Sequence, residues 1–324
     1  MPEQTYLQAV RDAIAEEMRR DETVVLFGED VEVGYVFRVT KGLVEEFGPL
    51  RVRDTPISEL AIAGAAVGAA MTGLRPVPEI QFVDFTTLAM DQIVNQAAKL
   101  RYMTGGQARV AMTLRAPVGP LANYAAQHSQ SFHAFFCNVP GLVVAMPTTP
   151  ADVKGLLKAS IRSDDPVIFL EHKALYGMRG EVPEGEHLVP LGVAEVKRAG
   201  RDVTVVATGK LVHESLRAAE DLAREGIELE VVDPRTLYPL DTETILESVR
   251  RTGRLVIADE APKMCGYAAE IAALAAEEAL EYLTAPVKRV ALAHAPMPCA
   301  PPLEEYVLVG AREIAQAARE AVAG

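Results

Sequence analysis

Residues 51–85 read RVRDTPISELAIAGAAVGAAMTGLRPVPEIQFVDF, and the rest of the chain is best understood from this stretch. A single carboxylate, Glu59, stands at the head of an uncharged run, residues 60–74, in which Ala and Gly dominate. The run is shorter than the roughly 20 residues that a membrane-spanning helix needs, and its Ala and Gly content makes it only weakly hydrophobic. It therefore predicts a buried helix of a globular protein, with Ser58 as a candidate cap.

The position of Glu59 allows two interpretations. An acid in the first turn of a helix commonly complements the helix dipole. Alternatively, Glu59 is held in an apolar environment, where loss of water disfavours the charged form of a carboxyl group and suits it to exchange a proton with a ligand. Gly64 and Gly68, one helical turn apart, would let another backbone approach this helix closely.

Composition narrows the possible classes of protein. A chain of 324 residues can hold two domains of ordinary size. The net charge of −13 and the absence of a basic cluster argue against nucleic acid as a partner. Cys137, Cys265 and Cys299 are far apart, which supports neither a disulfide framework nor a zinc site and fits a reducing compartment. The amino-terminal residues resemble neither a signal nor a transit peptide, so we expect a cytoplasmic protein without a membrane partner.

Strand-like and helix-like segments alternate along the whole chain. This order predicts an α/β fold in which mostly parallel sheets are covered by helices on both faces. Residues 181–190 contain Pro and Gly and no sustained hydrophobic period, so we interpret them as a linker. The predicted domains are residues 1–180 and residues 191–324.

Two local expectations concern the segment that follows the Ala- and Gly-rich run. Pro76 and Pro78 confine the start of a strand over residues 77–82 to a sheet edge or an irregular entry, because proline cannot donate to the hydrogen-bond ladder. Residues 86–102 have the spacing of a helix, with Leu88 on its inner face.

Few side chains stand out as candidates for chemistry. The chain contains neither a dinucleotide-binding glycine motif nor a mononucleotide P-loop. His128 lies where a loop meets a helix start, which allows either a catalytic or a structural role, whereas His133 lies among Phe residues and is interpreted as a packing position. Gln81, Phe82 and Phe85 follow a strand exit, where they would suit a flat heteroaromatic ligand or an ordinary core.

A series of short strings in register carries a resemblance to a known family. They are GEDV (28–31), VFR (36–38), RDTPISE (53–59), EIQF (79–82), DQI (91–93), HSQS (128–131), PGL (140–142), PVI (166–168), DPRT (233–236) and PLD (239–241). Together they closely resemble the beta subunits of the thiamine diphosphate-dependent dehydrogenase component of 2-oxo acid dehydrogenase complexes, most closely the branched-chain (2-oxoisovalerate) type. The resemblance implies a transketolase-like pyrimidine-binding domain followed by a transketolase C-terminal domain.

The resemblance also implies roles for individual residues. Glu59 would hydrogen-bond the N1′ atom of the cofactor aminopyrimidine, and His128 would orient the substrate and serve in acyl transfer to lipoamide. These two are the expected catalytic residues. The remaining residues expected to contact the cofactor are Glu29, Ser58, Leu60, Gln81, Phe82 and Phe85.

Further cofactors and partners follow from the same resemblance. The family's alpha subunit holds the diphosphate and Mg²⁺ through a Gly-Asp-Gly motif, which is absent here, so an alpha subunit would complete the site in an α2β2 heterotetramer. The lipoyl acyltransferase would dock through its subunit-binding domain. Main-chain carbonyls would match a K⁺ site; they belong to Met112, Ser160, Ile161 and Asp165.

The implied activity is oxidative decarboxylation of a small 2-oxo acid with acyl transfer to lipoyl groups, within class EC 1.2.4. Such an enzyme would serve branched-chain amino acid degradation. Three alternatives stay open: a pyruvate dehydrogenase beta subunit, a single-chain thiamine enzyme, and a noncatalytic subunit that only docks the acyltransferase. Tyr35 and Pro234 depart from the family pattern without touching the proposed chemistry.

Overall fold

The computed structural model describes residues 2–34 and 36–324, so Tyr35 lies outside the described residues. Contacts divide the chain into two units. The first contains residues 1–118 and 135–191, and the second contains residues 119–134 and 192–324. Each unit is a sheet with helices, as the alternation predicted. The predicted division into two continuous domains joined by a linker at residues 181–190 remains a proposal. It did not anticipate that residues 119–134 belong with the C-terminal unit.

The first unit is organised by parallel strands. Its strands are β1 Glu3–Thr5, β2 Val24–Gly28, β3 Val52–Asp54, β4 Arg75–Glu79, β5 Thr113–Val118, β6 Val143–Ala145, β7 Val167–His172 and β8 Arg179–Glu181. Six of them form a parallel sheet in the order β6-β7-β5-β4-β2-β3, while β1 and β8 form an antiparallel pair. Its helices are α1 Tyr6–Arg20, α2 Leu43–Phe47, α3 Glu59–Met71, α4 Ala98–Met103 and α6 Pro150–Arg162. A short helix α5, His133–Cys137, lies where the chain returns to this unit.

Helix α1 shows how local sequence and packing agree. Thr5 caps the helix, because its hydroxyl accepts from the Gln8 N–H at 3.1 Å and the Gln8 side chain accepts from the Thr5 N–H at 2.8 Å. Val10 and Ile14 project from one face and are fully buried. This face packs on α6, so the two helices share the core that covers one side of the sheet.

Strand β4 corrects one of the two expectations for its start, which were a sheet edge or an irregular entry, because it does not lie at an edge. The strand is central, pairing with β2 along its whole length and with β5 only at Glu79. The N–H of Arg75 points toward β2 and that of Ile80 toward β5, so the alternation turns Pro76 and Pro78 toward β5. The N–H groups that Pro76 and Pro78 lack would therefore face β5, with which β4 forms few backbone hydrogen bonds. This lets a central strand tolerate both prolines.

The segment after β4 is less regular than predicted. A 3₁₀ segment, Val83–Ala89, and a π-helical segment, Gln92–Ala97, precede α4 in place of one continuous helix. Leu88 was expected on the inner face, but it is 59% exposed, because the tighter 3₁₀ winding changes which residues face inward.

The residues interpreted as a linker are attached to the first unit. His187 Nε2 lies 3.0 Å from the Ala151 carbonyl oxygen on α6. A Cβ on Gly155 would lie 2.5 Å from a methyl carbon of Val189, so only glycine lets α6 accept this segment. The absence of a hydrophobic period in residues 181–190 therefore reflects extended packing on a helix.

The second unit has a five-stranded sheet. The unit contains the six strands β9 Glu195–Arg198, β10 Val203–Ala207, β11 Leu229–Asp233, β12 Thr236–Tyr238, β13 Leu255–Pro262 and β14 Lys288–Leu292, and all of them except β12 belong to this sheet. The order is β14-β13-β10-β11-β9, with only β9 antiparallel to its neighbour. The helices are α7 Leu211–Ala223, α8 Thr242–Thr252, α9 Tyr267–Glu278, α10 Pro301–Val307 and α11 Ala311–Ala323. Across residues 2–34 and 36–324, no helix combines the length and apolar character needed to span a membrane.

Candidate active site

Glu59 is the first residue of α3 and is only 6% exposed. Ser58 occupies the cap position, yet its side chain accepts no capping hydrogen bond. The carboxylate therefore lies near the positive end of the helix dipole. The start of α3 thus presents a buried carboxyl group beside an apolar helix.

A small pocket lies at the carboxyl ends of β2 and β4. Glu29, Phe37 and Gln81 contribute to its wall. The amide of Gln81 donates to the backbone carbonyl of Glu29 at 3.3 Å, which connects the two strand exits. Partial burial raises the pKa of Glu29, and the neighbouring carboxylates of Glu59 and Asp30 raise it further. The carboxyl group of Glu59 is thus close enough to Glu29 to raise the pKa of Glu29.

Aromatic rings provide the apolar side of this region. Phe82 is buried and packs edge-on against Phe37 at 5.7 Å and against Phe85 at 5.7 Å between ring centroids. Phe37 also packs on Tyr176 at 5.1 Å. These rings and the carboxyl groups fit a flat, protonatable nitrogen heterocycle, which needs apolar surface and a few fixed polar partners.

A buried ion network that the sequence reasoning missed supports the pocket. The Arg115 guanidinium donates to both carboxylate oxygens of Glu171, at 2.6 and 2.9 Å, and to Glu79 at 2.5 Å. Tyr176 donates to Glu171 at 2.8 Å. Burial raises the pKa of Glu79 and the like charge of Glu171 adds to this, and together they outweigh the lowering effect of Arg115. A charged residue within the otherwise apolar strand β5 was the signal that could have identified this network.

The outer face of α3 is not covered by the part of this chain that the structure describes. Leu60 is 54% exposed, and Ala61, Ala65 and Gly68 on the same side are exposed as well. A Cβ at Gly68 would meet no atom within 4 Å. The described residues therefore supply no second backbone against this face, and the proposed cofactor contact of Leu60 stays a prediction.

His128 belongs to the second unit, in the segment Gly119–Ala134. Its side chain is half-buried, and its ring lies 6.4 Å from the ring of Tyr124. Asn123 and Ala125 have positive φ angles, 66° and 57°, in the left-handed region that non-glycine residues rarely adopt. The surrounding loop therefore has a defined, strained backbone of the kind found near functional sites.

His133 makes a buried ion pair, which is more than the packing role expected from its sequence neighbours. Its Nε2 atom lies 2.9 Å from Oδ1 of Asp259 on β13, and both side chains are almost completely buried. Although burial lowers the pKa of His133, the carboxylates of Asp259 and Glu260 raise it by more. Burial likewise raises the pKa of Asp259, but His133 and Thr208 lower it below its usual range. Both shifts favour the charged pair.

The ion pair gives the stability of the second unit a defined pH dependence. The raised pKa of His133 contributes stability that is complete below about 6.5 and is lost as pH rises through that pKa. The lowered pKa of Asp259 contributes stability that is complete above about 3.9 and is lost as pH falls through that pKa. The difference in urea midpoint between wild type and Asp259→Asn should therefore be largest between these values and shrink in alkali. A difference that stays constant with pH contradicts this account.

Three of the four carbonyl groups proposed for K⁺ already have hydrogen-bond partners. Those of Met112 and Ser160 accept backbone N–H groups at 2.9 and 3.0 Å. The carbonyl of Ile161 accepts from the Arg75 guanidinium at 3.1 Å, so a cation would share this oxygen with a positive charge. The carboxylate of Asp165 pairs with Arg101. A carbonyl oxygen has two lone pairs, and the K⁺ site remains a prediction.

Comparisons with known proteins cover nearly the whole chain. Residues 3–179 match the family described as transketolase, pyrimidine binding domain. Residues 192–314 match transketolase, C-terminal domain. A solved structure described as a split gene transketolase, inactive beta4 tetramer, superposes with a TM-score of 0.82 at 25% identity, over 98% of each chain.

Curated relatives carry more than one substrate name. The acetoin:2,6-dichlorophenolindophenol oxidoreductase subunit beta of Cupriavidus necator is 49% identical over 98% of this chain and 96% of its own length. The 2-oxoisovalerate dehydrogenase subunit beta of Bacillus subtilis is 47% identical over 98% of each chain. The pyruvate dehydrogenase E1 component subunit beta of Bacillus subtilis is 47% identical over 90% of each. The chain belongs to the family of thiamine diphosphate-dependent dehydrogenase beta subunits that contains these three relatives.

Proposed function

We propose that this chain is the beta subunit of a heteromeric dehydrogenase that decarboxylates a branched-chain 2-oxo acid and passes the acyl group to lipoyl groups. The observation that carries the proposal is the buried carboxyl group of Glu59 at the start of α3, coupled to Glu29 at the pocket edge. Such a pair suits proton exchange with a nitrogen heterocycle. The family to which the chain belongs supports the same conclusion.

Thiamine diphosphate, when bound, supplies a carbon nucleophile that attacks the ketone carbon of the substrate. Glu59 would hold a proton at N1′ of its aminopyrimidine ring. Gln81 would fix the backbone at Glu29, and Phe82 and Phe85 would exclude water from the ring. His128 would orient the substrate and hold a proton during acyl transfer.

We further propose that an alpha subunit completes the cofactor site in an α2β2 heterotetramer. The absence of a Gly-Asp-Gly motif from the sequence supports this assignment, because the diphosphate and Mg²⁺ then need ligands from another chain. The uncovered outer face of α3 is consistent with a partner. The acyltransferase component, through its subunit-binding domain, would be the second partner, and K⁺ would be a structural ion.

Substrate preference separates the leading assignment from its competitors. The strings VFR and EIQF favour a branched-chain 2-oxo acid. The reconstituted heteromer should show a kcat/KM for 2-oxoisovalerate at least about tenfold above that for pyruvate, the size of effect that one or two methyl groups give in an apolar pocket. Initial rates with 2,6-dichlorophenolindophenol as electron acceptor measure this ratio, and the heteromer without cofactor gives the background rate. A higher kcat/KM for pyruvate overturns the branched-chain assignment.

Acetoin is a second candidate substrate, favoured by the 49% identity to two acetoin oxidoreductase subunits. Cleavage of acetoin uses the same attack on a ketone carbon but releases acetaldehyde where a 2-oxo acid releases CO2. The two reactions are therefore distinguished by their products in the same assay. Release of acetaldehyde with a kcat/KM above that for 2-oxoisovalerate replaces the leading assignment with acetoin oxidation.

A further inference from the structure

The segment that carries His128 is held at both ends by contacts inside the second unit. His128 lies midway along the chain between Asn123 and His133. The base of the loop is closed by a hydrogen bond from the Gly119 N–H to the Gln130 carbonyl at 3.1 Å. Because the ends of this span are anchored separately, its middle has little freedom to shift.

The first anchor is a carboxylate on a short helix. The backbone N–H of Asn123 donates to Oε2 of Glu304 on α10 at 3.0 Å. Glu304 is 6% exposed, and Asn123 has a φ of 66°. A left-handed non-glycine residue costs free energy and persists only when its surroundings hold it there. Glu304 supplies such a contact.

The second anchor is the ion pair of His133 with Asp259. Asp259 lies on β13, a strand in the middle of the sheet, and its Oδ1 also accepts from the Thr208 hydroxyl at 2.8 Å. The ring of Tyr267 packs edge-on against His133 at 5.8 Å, and its hydroxyl donates to the Leu237 carbonyl at 2.7 Å. The imidazole is thus held by the charge of Asp259 and by the ring contact with Tyr267.

We propose that Asp259, His133 and Glu304 are positioning residues, which hold the His128 segment in one conformation on the C-terminal unit. None of them is assigned to contact substrate or cofactor. The consequence for catalysis rests on the proposed role of His128, whereas the conformational claim does not.

The test compares Asp259→Asn with a matched variant in the assembled heteromer. Asparagine keeps the shape of the side chain but removes the charge that His133 faces. Glu230→Gln is the control, because Glu230 is another buried carboxylate of the second unit whose described partners, Arg251, Ser248 and Gly200, lie outside the His128 segment. The readouts are amide hydrogen exchange across residues 120–132 and turnover in the acceptor assay.

We expect Asp259→Asn to speed amide exchange in residues 120–132 by at least about tenfold and to lower kcat, while Glu230→Gln changes neither. The double variant His133→Asp, Asp259→His, in which the two partners are swapped, should restore slow amide exchange and much of kcat. A swap of partners would not reverse a general loss of packing. Slower exchange or unchanged exchange in Asp259→Asn overturns the proposal.

Glu304→Gln provides an independent arm, because it weakens the first anchor without touching the buried ion pair. Faster exchange confined to residues 120–126 is expected, and no change there contradicts the first anchor. Faster exchange with normal turnover in both variants would uphold the positioning claim and overturn the catalytic role of His128.

Discussion

Replacing Glu59 with Gln is expected to lower turnover of the reconstituted heteromer by at least about 100-fold, the lower end of what a positioned acid–base group contributes. Glutamine has the size of glutamate but cannot exchange a proton with a ring nitrogen. Because Glu59 is buried at the start of α3, a carboxylate ion from the solvent cannot take over the role of its side chain. Steady-state rates with saturating 2-oxo acid and cofactor measure the effect.

The same variant should assemble and melt like wild type, because the amide keeps the volume of the carboxyl group. Glu243→Gln is the matched control, since Glu243 is also a first-turn acid but is 69% exposed on α8. We expect it to retain full turnover. Normal turnover in the Glu59 variant would remove the basis of the proposed function.

Replacing Arg115 with Leu is expected to lower the free energy of unfolding of the first unit by about 3–5 kcal/mol. The guanidinium is 1% exposed and is the described charged partner of Glu171, which is itself fully buried. Leucine fills part of the space but leaves an uncompensated carboxylate away from water. Because the chain has two units, native-state amide exchange in β5 and β7 is the suitable measurement, since a single global transition cannot be assumed.

Two further variants make this prediction specific. Adding Glu171→Gln to Arg115→Leu should recover part of the loss, because it removes the buried charge and keeps an acceptor for Tyr176. Arg109→Leu is the control, since this side chain is 65% exposed beside Asp164 and its loss should leave exchange unchanged. If the Arg109 and Arg115 replacements changed amide exchange equally, burial of the network would not determine its contribution to the stability of the first unit.

Local patterns sufficed for most elements because local chemistry determines them. The uncharged run over residues 60–74, with Ser58 as its candidate cap, located α3 within a few residues of its observed ends. Burial of Glu59 was one of the two interpretations that its place at the head of an apolar run left open, and the side chain is buried.

These local patterns could not predict contacts between distant parts of the chain. Nothing near His133 in the sequence indicates Asp259, and the neighbouring Phe residues favoured simple packing. The strand that contains Pro76 does not lie at a sheet edge, which was one of its two expected locations. The local sequence could not show this, because the direction of each missing N–H depends on the register of the strand against β2 and β5. The network of Arg115 with Glu79 and Glu171 likewise exists only once three strands are adjacent.

The path of the backbone between the two units limits how such a protein can evolve. The chain crosses from one unit to the other after residues 118, 134 and 191. Recombination only at the crossing after residue 191 would combine the His128 segment of one ancestor with β13 and α10 of another. His133 would then face a foreign counterpart of Asp259, and such a hybrid would keep the buried ion pair only if the second ancestor also carried an acid at this position.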